Sequence, residues 1–99
     1  MKYGMTPSQY KILENLVIQP LKDSGARVFI FGSRVTEAHH PHSDVDLLYK
    51  LSDELPPSLI SDVKENIEES NFPFAVDLVN DSELASSYRE SVESQLEEL

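Results

Sequence analysis

Asp44 and Asp46 stand on alternate residues of Ser43-Asp-Val-Asp-Leu-Leu48, and a third carboxylate, Asp77, sits inside the apolar run Phe74-Ala-Val-Asp-Leu-Val79. Successive strand side chains point to opposite faces, so Asp44 and Asp46 share one face while Val45 and Leu47 share the other. Two carboxylates about 7 Å apart on one strand face repel each other unless a cation lies between them. Aspartate is poorly suited to strands, so a merely solvated edge accounts for its repeated use less well than a cation does. Mg²⁺ fits, because it prefers hard oxygen ligands and typically takes one or two carboxylates with phosphate oxygens and water. If the third run pairs in parallel with the second, Asp77 stands beside Asp46. Three carboxylates on adjacent strands can hold two ions roughly 3.5–4 Å apart, the arrangement of two-metal nucleotidyl and phosphoryl transfer. One ion would hold a triphosphate and its leaving pyrophosphate; the other would lower the pKa of an attacking hydroxyl, with Asp77 placed as its general base.

The stretch ahead of these aspartates supplies the other half of such a site. The run Arg27 to Phe31 ends in Gly32-Ser33, and ten residues separate Ser33 from Asp44. Glycine permits a tight turn and close approach of backbone N–H groups to a phosphate oxygen, and the serine hydroxyl adds a donor. Arg34 follows, able to reach phosphates or to pair with a surface acid. A Gly-Ser turn alone closes many strands, and an isolated Asp-x-Asp is common. Together at one sheet edge they point to a nucleotide.

The elements that must position these residues follow from periodicity. Thr6-Pro7 predicts a helix start, since threonine caps and proline suits the first helical position. Tyr10, Leu13, Leu16, Val17 and Leu21 form one apolar stripe. Pro20 should kink or end that helix, and Ser24-Gly25 ends it outright. Arg27 to Phe31 reads as a buried strand, Gly32 to Ser43 as a loop and Val45 to Tyr49 as an antiparallel second strand. Leu59, Ile60, Val63 and Ile67 mark a helix with an acidic outer face. Phe74 to Val79 is the third strand, parallel to the second through a right-handed crossover. Asn80-Asp81-Ser82 should cap a last helix carrying Leu84, Tyr88, Val92 and Leu96. The expected fold is α/β (α+β), in the order α-β-β-α-β-α, with a small mixed sheet covered by helices.

The bulk properties narrow the setting. A chain of 99 residues makes one domain, 1–99. With 39% apolar and 26% charged residues it has an ordinary globular balance. There is no cysteine, which excludes disulfides and thiolate zinc sites. No run approaches the ~20 apolar residues of a membrane span, and Met1-Lys-Tyr-Gly-Met5 has no signal core, so the expected location is cytoplasmic. A net charge of −10 leaves no excess of Lys and Arg to displace counterions, which argues against nucleic acid. A small nucleotide and a basic protein partner suit that field better.

Other features have plainer readings. His39, His40 and His42 lack the spacing of a helix-borne zinc site and have no cysteine support, so a solvated loop is expected. Glu90, Glu93, Glu97 and Glu98 read as the solvated face of the last helix, with a docking surface for a basic partner as the second reading. Tyr3, Tyr10, Tyr49 and Tyr88 read as core or interface aromatics rather than as sites of self-modification.

Gly32-Ser33, ten residues, Asp44-Val-Asp46 and then Asp77 on a later strand resemble the minimal nucleotidyltransferase family of the DNA polymerase β superfamily. The resemblance covers nearly the whole chain and implies the nucleotidyltransferase fold. By it, Asp44, Asp46 and Asp77 are metal ligands with catalytic roles, and Gly32, Ser33 and Arg34 bind the nucleotide. The cofactor is a two-ion Mg²⁺ site and ATP is the substrate. The shortness of the chain resembles the antitoxin half of HEPN/MNT toxin–antitoxin pairs. That implies transfer of AMP from ATP to a tyrosine of a HEPN ribonuclease toxin. Two other expectations stand beside it: a non-catalytic acidic antitoxin that inhibits a basic partner by binding alone, and a small-molecule nucleotidyltransferase completed by a dimer partner. The sequence is compatible with a homo- or hetero-oligomer. The loop from Val35 to His42 departs from the family pattern, being less basic and carrying Glu37.

Overall fold

The first helix begins at Thr6, whose hydroxyl accepts from the Gln9 N–H at 3.2 Å while the Gln9 side chain accepts from the Thr6 N–H at 2.9 Å. This reciprocal cap, with Pro7 behind it, satisfies donors that a helix start leaves open. The computed structural model describes residues 3–36, 43–51 and 55–99. In it the elements run α1 (Pro7–Leu13), a π-helical turn (Glu14–Ile18), α2 (Gln19–Asp23), β1 (Arg27–Phe31), α3 (Ser33–Thr36), β2 (Val45–Lys50), α4 (Leu59–Glu68), β3 (Val76–Asn80), a 3₁₀ turn (Asp81–Glu83), α5 (Ser86–Glu93) and β4 (Glu97–Glu98).

Pro20, expected to kink or end the regular helix, does not end it but is preceded by an irregular turn. It has no N–H to offer the Leu16 carbonyl. The turn ahead of it widens, so that the Gln19 N–H reaches the Glu14 carbonyl five residues back and the helix continues to Asp23. Gly25, at φ +94°, then closes it: the Ala26 N–H returns to the Leu21 carbonyl at 3.0 Å. Leu13, Val17, Ile18 and Leu21 stay on one buried face throughout.

The sheet order is β3-β2-β1-β4, with β1–β2 and β1–β4 antiparallel and β2–β3 parallel. Val28 and Ile30, Val45, Leu47 and Tyr49, and Leu78 turn to one face, where they pack with the first helix and with Val63 and Ile67 of α4. The alternation leaves Phe31, Asp46 and Asp77 on the other face. The extents of 34 × 31 × 17 Å suit one sheet with one main layer of helices. The expected mixed sheet and strand order are present, with β2 and β3 each ending one residue later than expected and β3 starting at Val76.

Three expectations need correction. The segment from Gly32 to Ser43 is not all loop, since Ser33–Thr36 makes one helical turn. The last helix is shorter than the Leu84-to-Leu96 stripe: Leu84 and Ala85 are extended, so Asn80 caps the 3₁₀ turn through Ser82 rather than the helix. Glu97 and Glu98 lie not on that helix but on a strand beside β1, where Glu98 takes two bonds from Arg27 at 2.8 and 3.1 Å. Arg89 ties α5 back to the end of β3, donating to the Asp81 carboxylate at 3.1 Å and its carbonyl at 2.9 Å. No residue of α5 is buried, and Tyr88 is 65% exposed.

This division of labour gives a stability prediction. Leu47→Ala, at a fully buried position in the central strand, should cost about 2–5 kcal/mol. Tyr88→Ala should change stability by less than about 0.5 kcal/mol. Urea unfolding of the two variants measures both.

Candidate active site

β1 delivers Phe31 to its end and the chain turns at Gly32, at φ +82°. Two constraints fix glycine there. The backbone lies in the left-handed region, and a Cβ on Gly32 would sit 2.5 Å from Oδ2 of Asp46. The Asp46 carboxylate thus lies against the turn itself. Ser33 opens the short α3, in which the Val35 and Thr36 N–H groups return to the Gly32 carbonyl at 3.1 and 3.2 Å.

Asp46 is flanked in register by Phe31 of β1 and Asp77 of β3. Side chains paired across strands are immediate neighbours, so Asp46 and Asp77 face each other on the same side of the sheet. Asp44 lies two residues earlier, just before β2, and is exposed; Asp77 is exposed too, and Asp46 is half-buried. The Asp46 carboxyl is held above the usual carboxylate range, first by burial and then by the charges of Asp77 and Asp44, with Arg34 opposing. Asp46 and Asp77 stand side by side near the starts of β2 and β3, and Asp44 lies at the entry to β2. Among the described residues no three His, Asp or Glu side chains already close on a single ion. A two-ion site asks less of the carboxylates than a single closed cage, because phosphate oxygens and water complete each shell.

The donors present fit hard divalent cations: oxygen ligands alone, and a half-buried carboxylate whose ionisation is opposed by two others. Asp44, Asp46 and Asp77 would hold the ions. The Gly32 turn keeps side-chain atoms away from the Asp46 oxygen, leaving that edge to backbone and ligand.

Arg34, expected at the nucleotide, has its guanidinium inside the protein at 2% exposure. Nε and Nη2 donate to the Ser43 carbonyl at 3.2 and 2.7 Å, Nη1 donates to the Tyr3 carbonyl at 2.8 Å, and the group lies 4.1 Å over the ring of Phe74. Burial pushes its pKa down, and Asp44 and Asp46 push it back up. Arg34 therefore braces the residue before Asp44 and the segment that leads into β3. Sequence reasoning missed this role, because residue type alone does not separate a buried fork from a phosphate contact. Glu37, His39, His40 and His42 lie outside the described residues.

The chain belongs to the polymerase beta nucleotidyltransferase family, whose model matches residues 19–98. No curated protein matches it. Several solved structures share its fold. A toxin–antitoxin crystal structure with AMP-PNP aligns at a TM-score of 0.66 and 24% identity, over 86% of this chain and 70% of that one. A variant of the toxin–antitoxin MntA-HpeT aligns at 0.62 and 25% identity, over 87% and 70%. The tri-AMPylated Shewanella oneidensis HEPN toxin in complex with MNT antitoxin aligns at 0.58 and 20% identity, over 89% and 69%. Among the described residues no helix is long and apolar enough to cross a membrane.

The raised pKa of Asp46 has a consequence for stability. A folded-state pKa above the unfolded value means that the folded chain holds the extra proton between the two values. Stability from this group is then lost as pH rises through that window. Asp46→Asn should therefore stabilise the metal-free protein at pH 7, by no more than about 1 kcal/mol since Asp46 is partly solvated. The gain should vanish near pH 3. Urea unfolding in EDTA at the two pH values tests this.

Proposed function

We propose that this chain is a Mg²⁺-dependent nucleotidyltransferase that moves AMP from ATP onto a tyrosine hydroxyl of a HEPN-type toxin and thereby acts as its antitoxin. One observation carries the catalytic part: Asp46 and Asp77 stand in register on one sheet face, with the Gly32 turn pressed against the Asp46 carboxylate. The family supports the reaction class. The partner and the nucleotide rest on likeness to solved toxin–antitoxin structures, one with AMP-PNP and one with an AMPylated toxin.

In this reading Asp44, Asp46 and Asp77 are the metal ligands, and Gly32 and Ser33 meet the triphosphate. Bound there, Mg²⁺ supplies charge for the triphosphate and lowers the pKa of the acceptor hydroxyl. Asp77, exposed on the outer strand, takes the proton as the acceptor oxygen bonds to the α-phosphorus and the bond to pyrophosphate breaks. Arg34 acts by holding Ser43, and so Asp44, in place. Binding alone by an acidic surface is the second reading, favoured by the net charge of −10 and by the exposed α5.

The two readings separate with α-labelled ATP, Mg²⁺ and a HEPN-type protein as acceptor. Transfer predicts label on the partner, lost with Asp44→Ala together with protection from the toxin. Asp77→Asn should lower the rate of transfer about 10²- to 10⁴-fold. Absence of label, with protection intact in Asp44→Ala, would establish inhibition by binding.

A further inference from the structure

The two edges of the sheet are finished differently. β4 covers the outside of β1 with only two residues, both glutamates, one of them fixed by Arg27. Short, charged edges resist pairing with another chain. β3, at the other edge, runs Val76-Asp77-Leu78-Val79-Asn80 with no lysine or proline to guard it. The Val45 N–H donates to the Ala75 carbonyl at 2.8 Å. Alternation along the parallel ladder then turns the main-chain groups of Ala75, Asp77 and Val79 towards β2 and those of Val76 and Leu78 outward.

The outward groups open into a groove of about 420 Å³, bounded by residues 75–78 and by Lys64, Ile67 and Glu68 of α4. Its aromatic end is no stacking platform for a nucleobase. Phe72 is buried and meets Phe74 edge-on at 5.5 Å, and Arg34 covers a face of Phe74. What the groove offers is hydrogen bonding from a strand edge, with Asp77 among its lining residues.

We infer that the β3 edge receives, as an added strand, the partner segment that bears the acceptor hydroxyl. This rests on the transfer reading above. Phe31, Asp46 and Asp77 form one row across three strands. An added fifth strand, about 4.8 Å beyond β3, continues the row and sets one of its side chains about 5 Å from that of Asp77, on the same face. A hydroxyl there reaches the Asp77 carboxylate, and the nucleotide bound at Asp46 lies next along the row. The hydroxyl proton goes to Asp77, the oxygen bonds to the α-phosphorus and pyrophosphate leaves. Charge selects the occupant further. Glu68 and Asp77 outweigh Lys64 at the groove, and the chain carries −10 overall. An extended segment with basic flanks fits, and a second copy of this acidic chain does not.

Val76→Pro tests the edge with little disturbance to the sheet, because proline removes an N–H that points away from β2. Val76→Ala, which keeps that N–H, serves as control, and Glu68→Arg probes the charge of the groove wall. Partner affinity is read by titration with the HEPN-type protein, and transfer by label from ATP. Val76→Pro and Glu68→Arg should each weaken partner binding and raise KM for the partner by about tenfold or more, with KM for ATP unchanged and Val76→Ala near wild type. Partner affinity equal to wild type in Val76→Pro and Glu68→Arg overturns the inference, as does self-association of the chain abolished by Val76→Pro. If the wild type binds its partner but transfers no label, the transfer reading fails, and the binding titration still decides whether the partner uses this edge.

Discussion

The constraint on which the site depends is the close approach of the Gly32 backbone to the Asp46 carboxylate. A single methyl group at position 32 would stand 2.5 Å from an Asp46 oxygen. That closeness fixes the residue type, the left-handed turn at the end of β1 and the rotation of the chain into α3. It also fixes what the central carboxylate faces: turn backbone on one side and Asp77 across the ladder. A half-buried acid beside two others is an unfavourable arrangement for an isolated fold, and the upward push on the Asp46 pKa expresses that cost. Sites built to bind cations commonly trade stability in this way.

The arrangement is supported from behind by a cation that never leaves the protein. Arg34 gathers three separate parts of the chain: the N-terminal carbonyl of Tyr3, the Ser43 carbonyl before Asp44 and the Phe74 ring ahead of β3. Its bidentate hold on one carbonyl uses the fixed fork geometry that lysine lacks. Its charge also lowers the pKa of Asp46 from the interior, offsetting part of the push from Asp77 and Asp44. Position and electrostatics therefore come from the same side chain, one residue after the Gly-Ser turn.

Much of this was legible in the residues because the signals were periodic. Alternation in Val45 to Tyr49 and in Val76 to Val79 identified two strands with their aspartates facing away from the core. The spacing of Leu59, Ile60, Val63 and Ile67 gave α4, whose length then required β3 to return parallel. Features without a period were not legible. β4 is two residues long and exists only because β1 has an open edge to pair with. The four-residue spacing of Leu84, Tyr88, Val92 and Leu96 imitated a helix longer than the one that forms, since Leu84 and Ala85 are extended. Pro20 signals a kink or an end, and the wider π turn that absorbs its missing donor leaves no mark in composition. Arg34 was read as a phosphate contact because its neighbours invite one; burial decides otherwise, and burial is a property of the fold.

The relation between the turn and the carboxylate row is open to one direct measurement: calorimetric titration of Mg²⁺ into the chain saturated with a non-hydrolysable ATP analogue, for wild type and Gly32→Ala. The alanine variant should still fold, since one residue forced into the left-handed region costs only about 1–2 kcal/mol. If the close approach of Gly32 to Asp46 shapes an ion site, the wild type binds Mg²⁺ and the folded variant loses that binding. Equal Mg²⁺ binding by the two proteins would contradict it.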